Sequence, residues 1–186
     1  MNQEKLKNNV FIPMPVTLVG SVVNSKPNFM AVGWVTRANF TPPMIAIGIG
    51  KSHYTPTGII ENKEFSVCFP SESMARETDY CGLVSGEKVD KASLFDVFYG
   101  EQTRAPMIEA CPFNLECKLI QTIDLPSNYL FLGEIVGAYA DKKFVQPNGP
   151  DFKAMDLFFL TMPDNRYWSM GEEIGKAWSM GKELMK

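Results

Sequence analysis

WVTRANFTPPMIAIGIGKSHYT, running from Trp34 to Thr55, is the stretch that decides how this chain folds. An apolar run, Phe29 to Val35, ends in the polar patch Thr36-Arg37-Ala38-Asn39, and Pro42-Pro43 then turns the chain into a second run, Met44 to Gly50. In that run Ile45, Ile47 and Ile49 alternate with Met44, Ala46, Gly48 and Gly50, the period of a strand with one face in a core and one small face. The small face leaves room for either a flat cofactor or a packed helix. Lys51-Ser52-His53-Tyr54-Thr55-Pro56 then reads as the start of a helix. Thr55 suits the N-cap, where its hydroxyl accepts a free amide N–H, and Pro56 suits the first helical position, where the missing N–H costs nothing. A helix start presents unpaired N–H groups and a partial positive charge. With Lys51 and the hydroxyls of Ser52 and Thr55 added, two readings stand open here: a phosphate cradle, or an ordinary capped helix with a solvated lysine.

Working outward, the N-terminal arm, residues 1–12, is mostly polar, and Pro13 and Pro15 keep the next stretch extended. Val16 to Val23 is rich in β-branched residues and reads as a strand. The turn cluster Asn24-Ser25-Lys26-Pro27-Asn28 makes it a hairpin with Phe29 to Val35. Beyond the helix predicted near Thr55 to Asn62, Glu64 to Phe69 alternates as a half-buried strand. Ser71 is placed to cap a second helix through Tyr80, with Gly82 ending it. Leu83 to Lys91 is a polar loop, and Phe95 to Pro106 is irregular. Phe113 to Ile123 alternates clearly, with Phe113, Leu115, Cys117 and Leu119 facing in and Asn114, Glu116 and Lys118 facing out. Tyr129 to Tyr139 is the next strand, with Gly133 and Gly137 as bulge or close-approach points. Asp156 to Leu160 is a short last strand. The tail, residues 161–186, repeats Trp-Ser-Met-Gly at Trp168 and Trp178 and reads as a glycine-spaced helix, or turn and helix, packing on the body or on a partner chain. About seven strands in neighbouring pairs, with two or three helices and no βαβ rhythm, predict a mainly antiparallel barrel or sandwich with peripheral helices, in one domain over 1–186.

Composition narrows the function. The chain has 186 residues, a net charge of −3 and no run of Lys or Arg, so no basic field invites nucleic acid. No segment approaches the roughly 20 apolar residues of a membrane helix, and the first residues lack the apolar core of a signal peptide, which predicts a cytoplasmic protein. Cys68, Cys81, Cys111 and Cys117 form no C-x-x-C pair and are expected as reduced thiols. With His53 the lone histidine, no metal site is expected. Neither a dinucleotide fingerprint, a P-loop nor a nucleophile elbow occurs, and no catalytic residue is assigned. Cys81 reads as a packing residue beside Gly82, or as a redox thiol if exposed and acidic.

Several stretches, kept in order from about Pro13 to Lys182, resemble the flavin reductase-like proteins, and within them the flavoredoxin branch. They are Pro15 to Val19; Gly33-Trp34 with Thr36, Arg37, Ala38, Asn39 and Pro42-Pro43; Ser52-His53-Tyr54-Thr55; Cys81-Gly82, Ser85-Gly86 and Asp90-Lys91; Leu115-Glu116-Cys117 with Gly133-Glu134-Ile135-Val136; and Tyr167-Trp168 with Gly171, Gly175 and Trp178. The resemblance implies an antiparallel Greek-key split barrel of six strands and a homodimer with FMN near the interface. It implies that Ser52, Tyr54 and Thr55, with Lys51 and His53 in the same segment, hold the phosphate. Thr36, Arg37, Ala38 and Asn39 would lie along the isoalloxazine and ribityl chain, and Ser85 and Lys91 would approach from the later loop. Asn128 stands where many relatives carry a histidine. A cation beside the reduced ring, Arg37 or Lys91, would raise the flavin potential. The implied activity is electron transfer through FMN from NAD(P)H or a ferredoxin-like donor to an acceptor, either as a reductase or as an electron carrier without nicotinamide turnover. A ligand-binding barrel that has lost flavin is the third reading.

Overall fold

The computed structural model describes residues Asn2 to Met185. Its principal sheet is built from β1 (Thr17–Val23), β2 (Lys26–Val32), β3 (Val35–Asn39), β4 (Met44–Gly50), β5 (Glu64–Phe69), β6 (Phe113–Asp124) and β7 (Asn128–Ala140). They hydrogen-bond in the order β2-β1-β5-β6-β7-β4-β3, and every pairing is antiparallel. The outermost strands of that order, β2 and β3, are consecutive in the chain and separated only by Gly33 and Trp34. In a flat sheet six strand spacings would hold them about 29 Å apart. Three residue steps, from Val32 to Val35, reach about 11 Å at most. The sheet must therefore curl on itself, and it forms the antiparallel split barrel that the resemblance implied. Counted as one bent strand, β2 and β3 bring seven strands back to six.

The curled sheet buries one face of each strand inside. Val19, Val32, Ile45, Ile47, Ile49, Phe65, Val67, Leu115, Cys117 and Phe131 form this core with Ile59. The three isoleucines of β4 point in as their alternation predicted. Two helices pack outside, α1 (Thr55–Asn62) and α2 (Ala75–Leu83). Residues of the opposite strand face, Leu18, Phe29 and Cys68, form a second core with Met74 and Cys81 on the α2 side, and with Met107, Ile108 and Cys111. Gly133 and Gly137 meet both expectations. Register shifts fall next to each, and a Cβ there would run into Phe65 and Glu116 respectively.

Several local expectations are corrected. The turn after β1 is two residues long: Asn24 and Ser25 both have positive φ, the geometry of a tight hairpin turn, and Lys26 already pairs with Val23. Pro27 is tolerated because β2 is an edge strand. The polar patch Thr36 to Asn39 is itself strand β3, paired with β4. Tyr54, not Thr55, occupies the α1 N-cap, and no side chain caps the helix; Thr55 is its first residue. Gly82 lies within α2 rather than ending it, because the helix continues to Leu83. Phe95 to Pro106 is not wholly irregular, since Val97–Tyr99 pairs with Pro106–Ile108.

Asn114 and Glu116 were expected to face solvent, yet both are buried. The segment 100–103 folds over β6, and the Glu116 carboxylate accepts the N–H groups of Gln102 (2.8 Å) and Thr103 and the hydroxyl of Tyr139 (3.0 Å). Buried carboxylates persist only when so satisfied. The strand expected to be last runs from Phe158 to Thr161 and is followed by a further one, Arg166–Ser169; it pairs between Met14–Pro15 and that later strand. The tail therefore opens with a strand and ends in a turn and a short 3-10 helix, Met180–Leu184, with Ile174, Trp178 and Leu184 exposed; of the two expected forms it is the turn and helix, not the glycine-spaced helix, that this end resembles.

Candidate functional site

Barrel and helices meet where β4 runs into α1. The connecting turn, Lys51 to Tyr54, leaves the backbone N–H groups of Ser52, Tyr54 and Thr55 without a partner among the described residues, whereas that of His53 bonds Gly50 (3.1 Å). Facing this turn is the loop that leaves α2. Between them is a cleft of about 240 Å³. Ser52, His53, Tyr54 and Thr55 line one wall, Ser85, Gly86 and Lys91 the other, with Met30 and Cys81. The structure thus brings together six of the residues singled out from sequence: Ser52, His53, Tyr54, Thr55, Ser85 and Lys91. A neighbouring polar cleft of about 300 Å³ shares Tyr54, Gly86 and Lys91 and adds Asn28.

Lys91 is the charge of this cleft. It is only 4% exposed, and its ammonium donates to the carbonyls of Cys81 (3.1 Å) and Val84 (3.2 Å). These oxygens lie at the C-terminal end of α2, where helix carbonyls lack intrahelical partners and the dipole favours a cation. Two of three ammonium protons are thereby used, and one is left for a ligand. Burial pulls the Lys91 pKa below the ordinary lysine value, with Cys81 opposing the shift. An anion in the cleft would restore the charged form.

The other sequence candidates stand apart. Lys51 is ion-paired with Asp124 and lies 5.4 Å from the centre of the Tyr129 ring. Thr36, Arg37, Ala38 and Asn39 are exposed on β3. Thr36 is opposite Ala46, six residues before Ser52, which along an extended strand is about 20 Å away. Arg37 folds back, its Nε donating to the Asn39 carbonyl at 2.8 Å. Thr36 instead lines two apolar clefts. One, of about 690 Å³, includes Arg37, Phe69, Phe113 and Ile135; the other, of about 510 Å³, includes Phe11, Trp34, Gly48, Asn128 and Leu130. The flat body over the small face of β4 is the Trp34 indole, which covers Gly48. Turned with its amide oxygen toward β4, Asn128 accepts the Gly50 N–H at 3.2 Å. Sequence reasoning missed Asn28, which sits on β2 in what read as a turn cluster. Its burial depends on α1 docking over it, and no local pattern signals that.

All four cysteines are free and buried, and burial pushes every thiol up, Cys68 to about 12 and Cys81 to about 11, with Lys91 opposing in the latter. The thiolate is the reactive form. The native protein at pH 8 should therefore react slowly with a thiol reagent at all four positions and fully only after unfolding. Rapid labelling of Cys81 would restore its redox reading. Among the described residues no cluster of three or more His, Cys, Asp or Glu side chains is placed to hold a metal, and no helix is long and apolar enough to cross a membrane.

Fold and cleft together define a class: an antiparallel split barrel with a polar, cation-bearing cleft at a strand-to-helix turn. Comparison with known proteins sharpens it. The flavin reductase like domain matches residues 10–153, and the chain belongs to the flavin reductase-like family. It is similar to the crystal structure of flavoredoxin from Methanosarcina acetivorans, at 55% identity over 100% of both chains with a TM-score of 0.97. Flavoredoxin of Desulfovibrio vulgaris (Miyazaki F) is 32% identical, over 97% of this chain and 100% of that one, with a TM-score of 0.89. The NADH-dependent FAD reductase of Streptomyces globisporus is 28% identical over 129 residues, 68% of this chain and 69% of that protein.

Proposed function

We propose that this chain is an FMN-binding oxidoreductase that passes electrons through its flavin from NAD(P)H or a redox partner to an acceptor. The observation that carries the proposal is the cleft between the β4–α1 turn and the α2 loop. It combines a buried ammonium, the hydroxyls of Ser52, Thr55 and Ser85, and unpartnered backbone N–H groups, among them that of Tyr54, whose own hydroxyl accepts from Asn24 Nδ2 (3.0 Å) toward the neighbouring cleft. That donor set suits a phosphate monoester, which offers only acceptors at neutral pH. Ser52, Tyr54 and Thr55 would hold the phosphate, with His53 in the same wall. Lys91 would supply positive charge, and Ser85 would close the cleft from the later loop. Thr36, Arg37, Ala38 and Asn39 would follow the ring and ribityl chain, with Lys51 at the flank of the turn. Bound FMN would supply a centre that accepts two electrons and releases them singly.

The flavin is proposed to lie near the interface of a homodimer. Support comes from the tail, where Ile174, Trp178 and Leu184 are 85–94% exposed, which is costly for apolar side chains in water. A second reading, an electron carrier with no nicotinamide turnover, is favoured by the likeness to two flavoredoxins.

The visible spectrum of the purified protein, before and after adding FMN and then NADH or NADPH, tests the proposal. A yellow protein that bleaches with a nicotinamide is expected for the reductase. Bleaching only with dithionite or a reduced iron–sulfur protein would give the carrier. A colourless protein that leaves added FMN unbound would overturn the cofactor assignment.

A further inference from the structure

We infer that Asn28 is a positioning residue that fixes the Thr55 hydroxyl as a proton donor into the cleft; this rests on the phosphate site proposed above. Asn28 is 5% exposed and Thr55 is 1% exposed. The Asn28 Nδ2 donates to Thr55 Oγ1 at 2.9 Å. The amide oxygen faces Gly86, at the position a Cβ on that residue would occupy, so a Cα–H of Gly86 is aimed at it. A C–H is a weak partner for an oxygen and none for an N–H₂ group, which sets the orientation of the amide. Asn28 Oδ1 has no hydrogen-bond partner among the described residues.

The consequence is directional. A hydroxyl carries one proton and two lone pairs. Asn28 occupies one lone pair of Thr55, and the proton meets no acceptor among the described residues. Thr55 lines the cleft beside Lys91. Its free proton is therefore available to an acceptor-only group in the cleft. Gly86 belongs to the same device, because any side chain there would displace the amide oxygen.

The test compares FMN with riboflavin, which carries the same ring without the phosphate. Asn28→Asp keeps size and shape but replaces the donor with a carboxylate, which captures the Thr55 proton. The wild type is expected to prefer FMN, and Asn28→Asp to lower FMN affinity roughly 10- to 100-fold while leaving riboflavin affinity near the wild-type value. In a Thr55→Val background the same replacement should cost far less, since no proton remains to capture. A loss from charge repulsion alone would persist there and would overturn the inference. So would an unchanged preference for FMN in Asn28→Asp. If Asn28→Asp fails to fold, Asn28→Leu, neutral and of similar size, should reduce the FMN preference several-fold, and an unchanged preference overturns the inference equally. A wild type that binds FMN and riboflavin alike would instead remove the phosphate site on which the inference stands.

Discussion

Gly58→Ala is expected to lower the stability of the folded chain by about 2 kcal/mol and to weaken flavin binding with it. Two effects oppose each other. Alanine is the better helix former, by about 1 kcal/mol in a helix interior. Against this, a Cβ at position 58 would overlap the carbonyl oxygen of Val22 and approach Val23 Cγ2 (2.8 Å) and Ser21 Oγ (2.9 Å). Overpacking costs about 1–3 kcal/mol, and more where neighbours cannot yield. The Val22 oxygen is backbone within β1 and also accepts the Asn62 side-chain amide at 2.8 Å, so it is held from two sides. Relief must come from α1 moving outward, and the clash outweighs the propensity gain. A melting temperature about 4–8 °C lower would register the cost in a chain of this size. Because Thr55 opens the same helix, the cleft would lose its geometry too. Gly82→Ala is the contrast. There a Cβ would stand 3.4 Å from Ala31 Cβ, an ordinary contact, so the same replacement in α2 should leave stability unchanged or slightly raised. An unchanged melting temperature for Gly58→Ala would contradict the close packing of α1 on β1.

What was legible in the sequence had a short-range cause. The β4 alternation follows from strand geometry, and Ile45, Ile47 and Ile49 lie in the core. The span of α1 follows from Pro56 and the residues that precede it, and its bounds, Thr55 to Asn62, agree with expectation. Features set by distant chain were illegible. Glu116 sits at an outward position of β6 and reads as solvated. It is buried because the segment 100–103, folding back from a short hairpin, needs an acceptor for its N–H groups. Lys91 is similar: a lysine in a polar loop reads as solvent-facing, yet the end of α2 supplies the two carbonyls that hold it inside. The N-cap role failed at Thr55 for the same kind of reason. Its hydroxyl is turned toward Asn28, 27 residues earlier, and so is not spent on the helix. Greek-key closure itself was implied by resemblance. Its physical cause, two edge strands joined by two residues, is visible only once the strand order is known.

Lys91→Met is expected to weaken FMN binding about 100-fold, an effect that depends on pH in a defined direction. A hydrogen bond to a charged partner contributes about 1.5–3 kcal/mol, and the phosphate would lose both the bond and the charge. The clamp on α2 would go as well, since the carbonyls of Cys81 and Val84 would lose their donor. Burial lowers the pKa of Lys91, whereas a bound dianion favours the ammonium form. Above the lowered pKa, binding must therefore take up a proton. Affinity should be highest below that pKa and should fall as pH rises through it toward the ordinary lysine value. The contribution of Lys91 to stability without ligand runs the other way. The unfolded chain binds more protons between the lowered and the ordinary pKa, so the cost of burying the ammonium is fully present below the lowered value and is relieved as pH rises. The alkaline fall in affinity should vanish in Lys91→Met; the four buried thiols, raised by burial, make both proteins lose stability as pH rises above the ordinary thiol value, so the Lys91 contribution is read as the difference between their melts. Titrating FMN into both proteins across the alkaline range reads the first trend, and thermal melts without flavin read the second. A Lys91→Met protein that keeps wild-type affinity would place the phosphate elsewhere. One that loses affinity yet keeps the alkaline fall would assign the proton to another group in the cleft.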